Sequence, residues 1–154
     1  MDDLTKILIT SSLTVIGGVL VFVAGQLLGK FVIDPMHEFK KTIGEVRFIL
    51  AFYAPTIHTP AARDKERSDK AAEALIKSSC ELLAGINAVP FYGSLSALFP
   101  RFLPSMQHVV AAAVQLRGLS TYVHETGDRA IDSLEVIASR VAQIENALGF
   151  EPLD

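Results

Sequence analysis

Two arginine–histidine pairs hold the residue types that could do chemistry in this chain: Arg101 with His108, and Arg117 with His124, each with six residues between. An imidazole beside a guanidinium can move a proton while the cation stabilises a phosphate, the combination that acid–base cleavage of a phosphodiester uses. The spacing is cheap: if gaps of four, five or six residues are allowed, the arginines and histidines present yield about half a match by chance. Pro104 also interrupts the first pair. His37, His58, His108 and His124 lack metal-ligand spacing, and there is no P-loop, G-x-S-x-G or C-x-x-C. The sole cysteine, Cys80, shows neither a neighbouring histidine nor a cause for a lowered thiol pKa, so packing against a helix face is expected of it. Glu45, Glu73, Glu81 and Glu135 fall on stretches rich in Lys or Ser and read as solvated surface. No catalytic, cofactor-binding or metal-binding residue is assigned, and no cofactor is expected.

The element that must position everything else comes first in the chain. Residues 7–29 carry no charge, and the apolar run resumes through Phe31, Val32 and Ile33. As a helix the uncharged run is about 34 Å long, against a hydrocarbon core of about 30 Å. A cleaved signal peptide is disfavoured, because Asp2 and Asp3 precede Lys6 and the run exceeds the roughly 7–15 apolar residues such peptides use. A buried core helix of this length would need a larger soluble domain than 154 residues provide. The expected organisation is a transmembrane anchor over residues 1–34 and a helical domain over 35–154. Lys30, Lys40, Lys41 and Arg47 follow the span while Lys6 alone precedes it, which places the domain in the cytoplasm. A lone cysteine fits that reducing compartment. A net charge of −3 gives no general attraction for nucleic acid, which is not an expected partner.

Within the span, Ser11, Thr14, Gly18, Gly25 and Gly29 fall in an arc of about 60° at helical spacing. Lipid tails do not drive helices together by the hydrophobic effect, so close backbone approach must, and Gly25-x-x-x-Gly29 is the small-residue spacing that permits it. Self-association through this stripe is expected, with Phe22 at its edge either packing into a neighbour's groove or holding backbones apart. Gln26 lies roughly 90° from the stripe, where its amide could bond across helices, face a lumen, or snorkel to the headgroups.

After the span, Asp34 and Pro35 read as an N-cap and first helical residue, predicting a bend and a restart. Met36, Phe39, Ile43, Val46, Ile49, Leu50 and Tyr53 mark an amphipathic helix over residues 36–54, ended by Pro55. A polar connection leads to a helix over residues 68–88 with Ala72, Leu75, Ile76, Ser79, Leu82, Leu83 and Ile86 on its apolar face. Residues 89–104 are irregular and aromatic, with a short helix over 94–99; Phe91, Tyr92, Phe99 and Phe102 could pack within the fold, lie on the membrane surface, or contact a protein partner. Ser105 can cap a helix through Val110, Ala113, Val114 and Leu116, limited by Gly118 or the turn at 126–128. In the last helix Ala130, Leu134, Ile137, Val141, Ile144 and Leu148 form a bundle seam, stopped by Gly149 and Phe150. Strand patterns are absent. The fold class is all-α: one N-terminal transmembrane helix, then a bundle of about four helices.

The segments GQLLGKFVIDP, IGEVRFILAFYA, AVPFYGSLSALFPRFLPS and LRGLS resemble an uncharacterised family of short, single-pass bacterial membrane proteins. That resemblance covers most of the chain, implies a bacterial inner-membrane location, and transfers no site residue. The Arg–His spacing resembles the signature of HEPN ribonucleases, which are helical bundles, and the layout is similar to the HEPN-like membrane-pore accessory proteins of type VI-B CRISPR systems. The expected function is a self-associating inner-membrane protein that forms or gates a pore, which the second likeness would place in defence. The alternatives are a membrane-tethered ribonuclease and an anchor that recruits a protein partner. Expected partners are lipid and further copies of the chain.

Overall fold

A computed structural model describes residues 3–59, 63–125 and 128–150, and among these there is helix and no strand. Helix α1 (Asp3–Leu28) passes through a π-helical turn (Gly29–Ile33) directly into α2 (Asp34–Phe52). From Thr5 to Phe52 the chain is one helix of 48 residues. The expected cap and restart at Asp34 and Pro35 is therefore corrected: Ile33 and Asp34 both keep right-handed helical dihedrals, and no side chain caps the junction. Pro35 inside a regular helix would lose a hydrogen bond and press its ring on the carbonyl four residues back. Widening the turn, so that the Asp34 N–H donates to the Gly29 carbonyl five residues earlier, lets the helix pass the proline without stopping.

Beyond the junction come the short α3 (Ala54–His58), α4 (Lys65–Ala88), the short α5 (Tyr92–Leu98), α6 (Met106–Tyr122), the short α7 (Asp128–Asp132) and α8 (Leu134–Leu148). The long helices pack in sequence, α2 on α4, α4 on α6 and α6 on α8, and contacts of α2 and α3 with α8 close the bundle. Side chains chosen by the 3.6-residue period fill the centre: Phe39, Val46 and Leu50 meet Leu75 and Leu82, then Leu116 and Leu119, then Ile137 and Ile144, all buried. Ser79 in this interior is satisfied by donating to the Ala113 carbonyl at 2.9 Å, which ties α4 to α6.

Helix ends follow local chemistry. Asp64 caps α4 by accepting from the Glu66 N–H at 2.8 Å, and Ser105 caps α6 by accepting from His108 N–H. Gly149 ends α8 at φ 72°, and Phe150 N–H returns to the Glu145 carbonyl at 2.8 Å, the 6→1 bond of a Schellman stop. Gly118 does not limit α6. A side chain there would strike the Arg140 guanidinium, which lies across it from α8 and donates to Gln115 Oε1. Glycine at this point makes room for a neighbour rather than a stop.

Three side-chain placements correct the sequence reading. Cys80 is exposed, one step of about 100° round from the buried Ser79, and so lies outside the core. On α6 the buried face is Val109, Ala112, Ala113 and Leu116, leaving Val110 and Val114 outside. Ile76, expected on the apolar face of α4, is 45 % exposed. Tyr92, which could pack within the fold or contact a partner, is core: 5 % exposed, edge-on to Phe39 with ring centres 5.4 Å apart. Its phenol donates to the Pro104 carbonyl at 2.7 Å, and burial pushes its pKa up to about 12.

Candidate functional site

Every described side chain of α1 is exposed, and among the described residues α1 has no extensive packing against any element other than the π turn that continues it. Leu13, Val15, Leu20, Val21 and Phe22 each show more than 60 % of their surface. In water such a face would be a severe liability, whereas in lipid it is the ground state. Gly18, Gly25 and Gly29 have open space where a side chain would project. Gly25 and Gly29 form the floor of a shallow concavity walled by Phe22, Gln26 and Lys30, so Phe22 borders the groove without filling it. The hydroxyls on the same stripe are satisfied at home: Ser11 donates to the Leu8 carbonyl and Thr14 to the Thr10 carbonyl. They leave no polar group orphaned in lipid and present only small volume to a neighbour. The Gln26 side-chain amide forms no hydrogen bond to the described residues.

The second concave feature lies between α2, the segment 100–104 and the end of α8. A groove of about 510 Å³ is lined by Lys40, Arg47, Arg101 and His108, with Phe102 and Phe150 among its apolar walls and, among the described residues, no carboxylate in its lining. Lys40 Nζ sits 4.5 Å from the centre of the Phe102 ring and the Arg47 guanidinium 5.9 Å from that of Phe150, so each ring holds a cation at the groove wall. The structure thus brings Arg101 and His108 to one groove from a loop and the first turn of α6. The other pair is at the far end of α6, where His124 Nδ1 lies 3.7 Å from an Asp69 carboxylate oxygen. Four basic side chains on one groove can hold an anion. Among the described residues no cluster of His, Cys, Asp or Glu could hold a metal ion.

No family of sequences, no characterised protein and no solved structure matches this chain.

Of the aromatic residues singled out in the sequence, Phe91, Phe99 and Phe102 are exposed, Phe102 beside the start of α2, and Tyr92 alone turns inward. A feature missed in the sequence is the exposed pair Phe48 and Phe52 on α2, stacked with ring centres 5.5 Å apart. The signal was present as an i, i+4 aromatic pair, but it lies off the apolar stripe that fixed the helix orientation.

Proposed function

We propose that this is a membrane-anchored, self-associating helical protein, whose copies meet through the Ser11, Thr14, Gly18, Gly25 and Gly29 stripe of α1 and carry the helical bundle on the cytoplasmic side. The observation that carries the reading is α1 itself: 26 residues, apolar, without extensive packing on the described bundle, and continuous with α2. A helix joined to its domain without a loop transmits its orientation, so spans packed side by side also fix how neighbouring bundles face each other. Open glycine backbone supplies the close approach that association in lipid needs. Gln26, beside the stripe, would find its partner in a neighbouring copy or line a lumen.

Crosslinking and mass measurement of the full chain in detergent test this. A defined multimer is expected, and Gly25→Leu with Gly29→Leu should weaken it by about 1–2 kcal/mol, roughly 5–30-fold in association. A monomer at all protein concentrations would end the proposal. If Gln26 lines a pore, the same multimer in dye-loaded liposomes releases dye and Gln26→Leu stops the release.

A further inference from the structure

The end of the bundle nearest the span is apolar where a soluble domain would be polar. Phe91 is 82 % exposed, Leu98 69 %, Phe102 56 % and Phe99 43 %. Phe91 is also the one described non-glycine residue at positive φ, 54°, a conformation that a bulky side chain rarely adopts and that glycine or asparagine would take without strain. An aromatic ring held in a strained conformation and pushed into solvent gains nothing from the fold around it.

Its neighbours set its height. Tyr92, next in the chain, packs on Phe39, and Phe102 shares a small slot of about 250 Å³ with Ile33, Met36, His37 and Lys40. Ile33 ends the apolar run and Asp34 is the first charge beyond Lys30. Met36 is three residues past Ile33, about 5 Å along the helix axis and inside a polar layer about 5–7 Å thick, while Phe39, under Tyr92, is about 8 Å beyond Asp34, at the outer edge of that layer. With Ile33 at the hydrocarbon boundary, Phe102 is level with the headgroups and the start of the loop with their outer edge. The charges there favour one lipid class: Lys30, Lys40, Lys41 and Arg101 are basic, against Asp34 and Glu38. Lys40 and Arg101 also line the groove at the foot of this loop, to which the described residues bring no carboxylate.

We propose that the 91–102 loop is a second membrane contact beside the span, with Phe91, Leu98, Phe99 and Phe102 entering the interfacial layer and Lys40 and Arg101 holding the phosphates of anionic phospholipids. Aromatic rings favour that layer, because their apolar faces and polarisable edges suit its mixed surroundings. Two contacts at different points fix the tilt of the bundle over the leaflet, which a lone span cannot. This rests on the membrane-anchored reading and adds a lipid-selective surface to it.

The chain has no tryptophan, so a single introduced indole reports its own surroundings. Phe91→Trp, Leu98→Trp, Leu20→Trp in mid-span and Phe52→Trp at the far end of α2 are each made in the full chain and reconstituted into vesicles. The vesicles contain lipids brominated near the headgroup or near the chain end, with or without phosphatidylglycerol. At positions 91 and 98 a blue-shifted emission quenched by the shallow bromines is expected, stronger with phosphatidylglycerol, while position 52 stays unquenched. Lys40→Glu with Arg101→Glu should weaken the phosphatidylglycerol preference about five-fold or more. If position 20 is quenched by deep bromines but 91 and 98 emit as in water, the second contact is refuted and the anchor survives. A blue shift at 91 without quenching means a covering protein surface and also refutes it. Loss of quenching at position 20 overturns both readings.

Discussion

At the scale of single residues, the bundle is held by a few polar groups whose roles depend on burial. Arg63 is the clearest: its guanidinium donates to the carbonyls of Thr56 at 2.8 Å, Ile57 at 2.9 Å and Glu125 at 2.6 Å, joining the end of α3 to the segment after α6. His58 sits beside it. Burial lowers the His58 pKa below 6.5; Glu145 opposes that shift and Arg63 adds to it. The unfolded chain therefore takes up this proton more readily than the folded one. The stability it contributes is complete above about pH 6.5 and is lost as pH falls through that value toward the folded pKa. Thermal unfolding of the full chain in detergent should show a lower midpoint at mildly acidic pH, and His58→Gln should flatten that difference. The effect is small because the ring keeps part of its surface in water; an unchanged pH profile in the variant would exclude His58 as its source. Sequence could not have announced any of this, since Arg63 sits in a run of mixed charge and its three acceptors are main-chain atoms. Tyr92 shows the same limit: surrounded in sequence by exposed aromatics, it is distinguished only by Phe39 and Pro104 meeting it from elsewhere in the chain.

Among the elements, legibility followed the strength of the pattern. The seam of the last helix alternates steps of three and four; the structure splits that helix into α7 and α8, with Ala130 of α7 and Ile137, Val141, Ile144 and Leu148 of α8 buried and Leu134, at the break, half-buried. In α6 a run of three alanines separates the valines, so two adjacent faces fit the period almost equally well and the wrong valines were chosen. The α1–α2 junction misled for a different reason: Asp-Pro usually starts a helix, and only the wide turn before it allows a continuous one. The stop of α8 was read correctly because glycine there has a geometric task. At φ 72° an alanine would be strained, so Gly149→Ala should cost about 1 kcal/mol. Unfolding of the full chain in detergent measures this, and Gly149→Asn, which tolerates the left-handed region, should recover part of it. Equal stability of the alanine and glycine forms would show that the Phe150 bond to the Glu145 carbonyl does not hold the α8 terminus.

For the whole molecule, the long helix from Thr5 to Phe52 makes side and orientation one question under the proposed anchoring: the face of the membrane that holds Lys30 would also hold the bundle. Basic residues near the two ends argue for the cytoplasmic face, with Lys30, Lys40, Lys41 and Arg47 after the apolar run and Lys6 before it. Cys80, whose exposure overturned its expected packing role, becomes the means of asking, because it is the only thiol and lies on the bundle's surface. In bacterial spheroplasts expressing the full chain, a membrane-impermeant maleimide should leave Cys80 unlabelled until the membrane is permeabilised. Labelling in intact spheroplasts would put the bundle on the outer face and reverse the assignment. A control variant with Asp3→Cys and Cys80→Ser should give the opposite pattern, reacting before permeabilisation. If both cysteines reacted only afterwards, both ends would share the cytoplasmic side, and α1 would lie along the membrane instead of crossing it. The glycine stripe would then face headgroups or lipid at a single depth, and side-by-side packing of spans would lose its geometric basis.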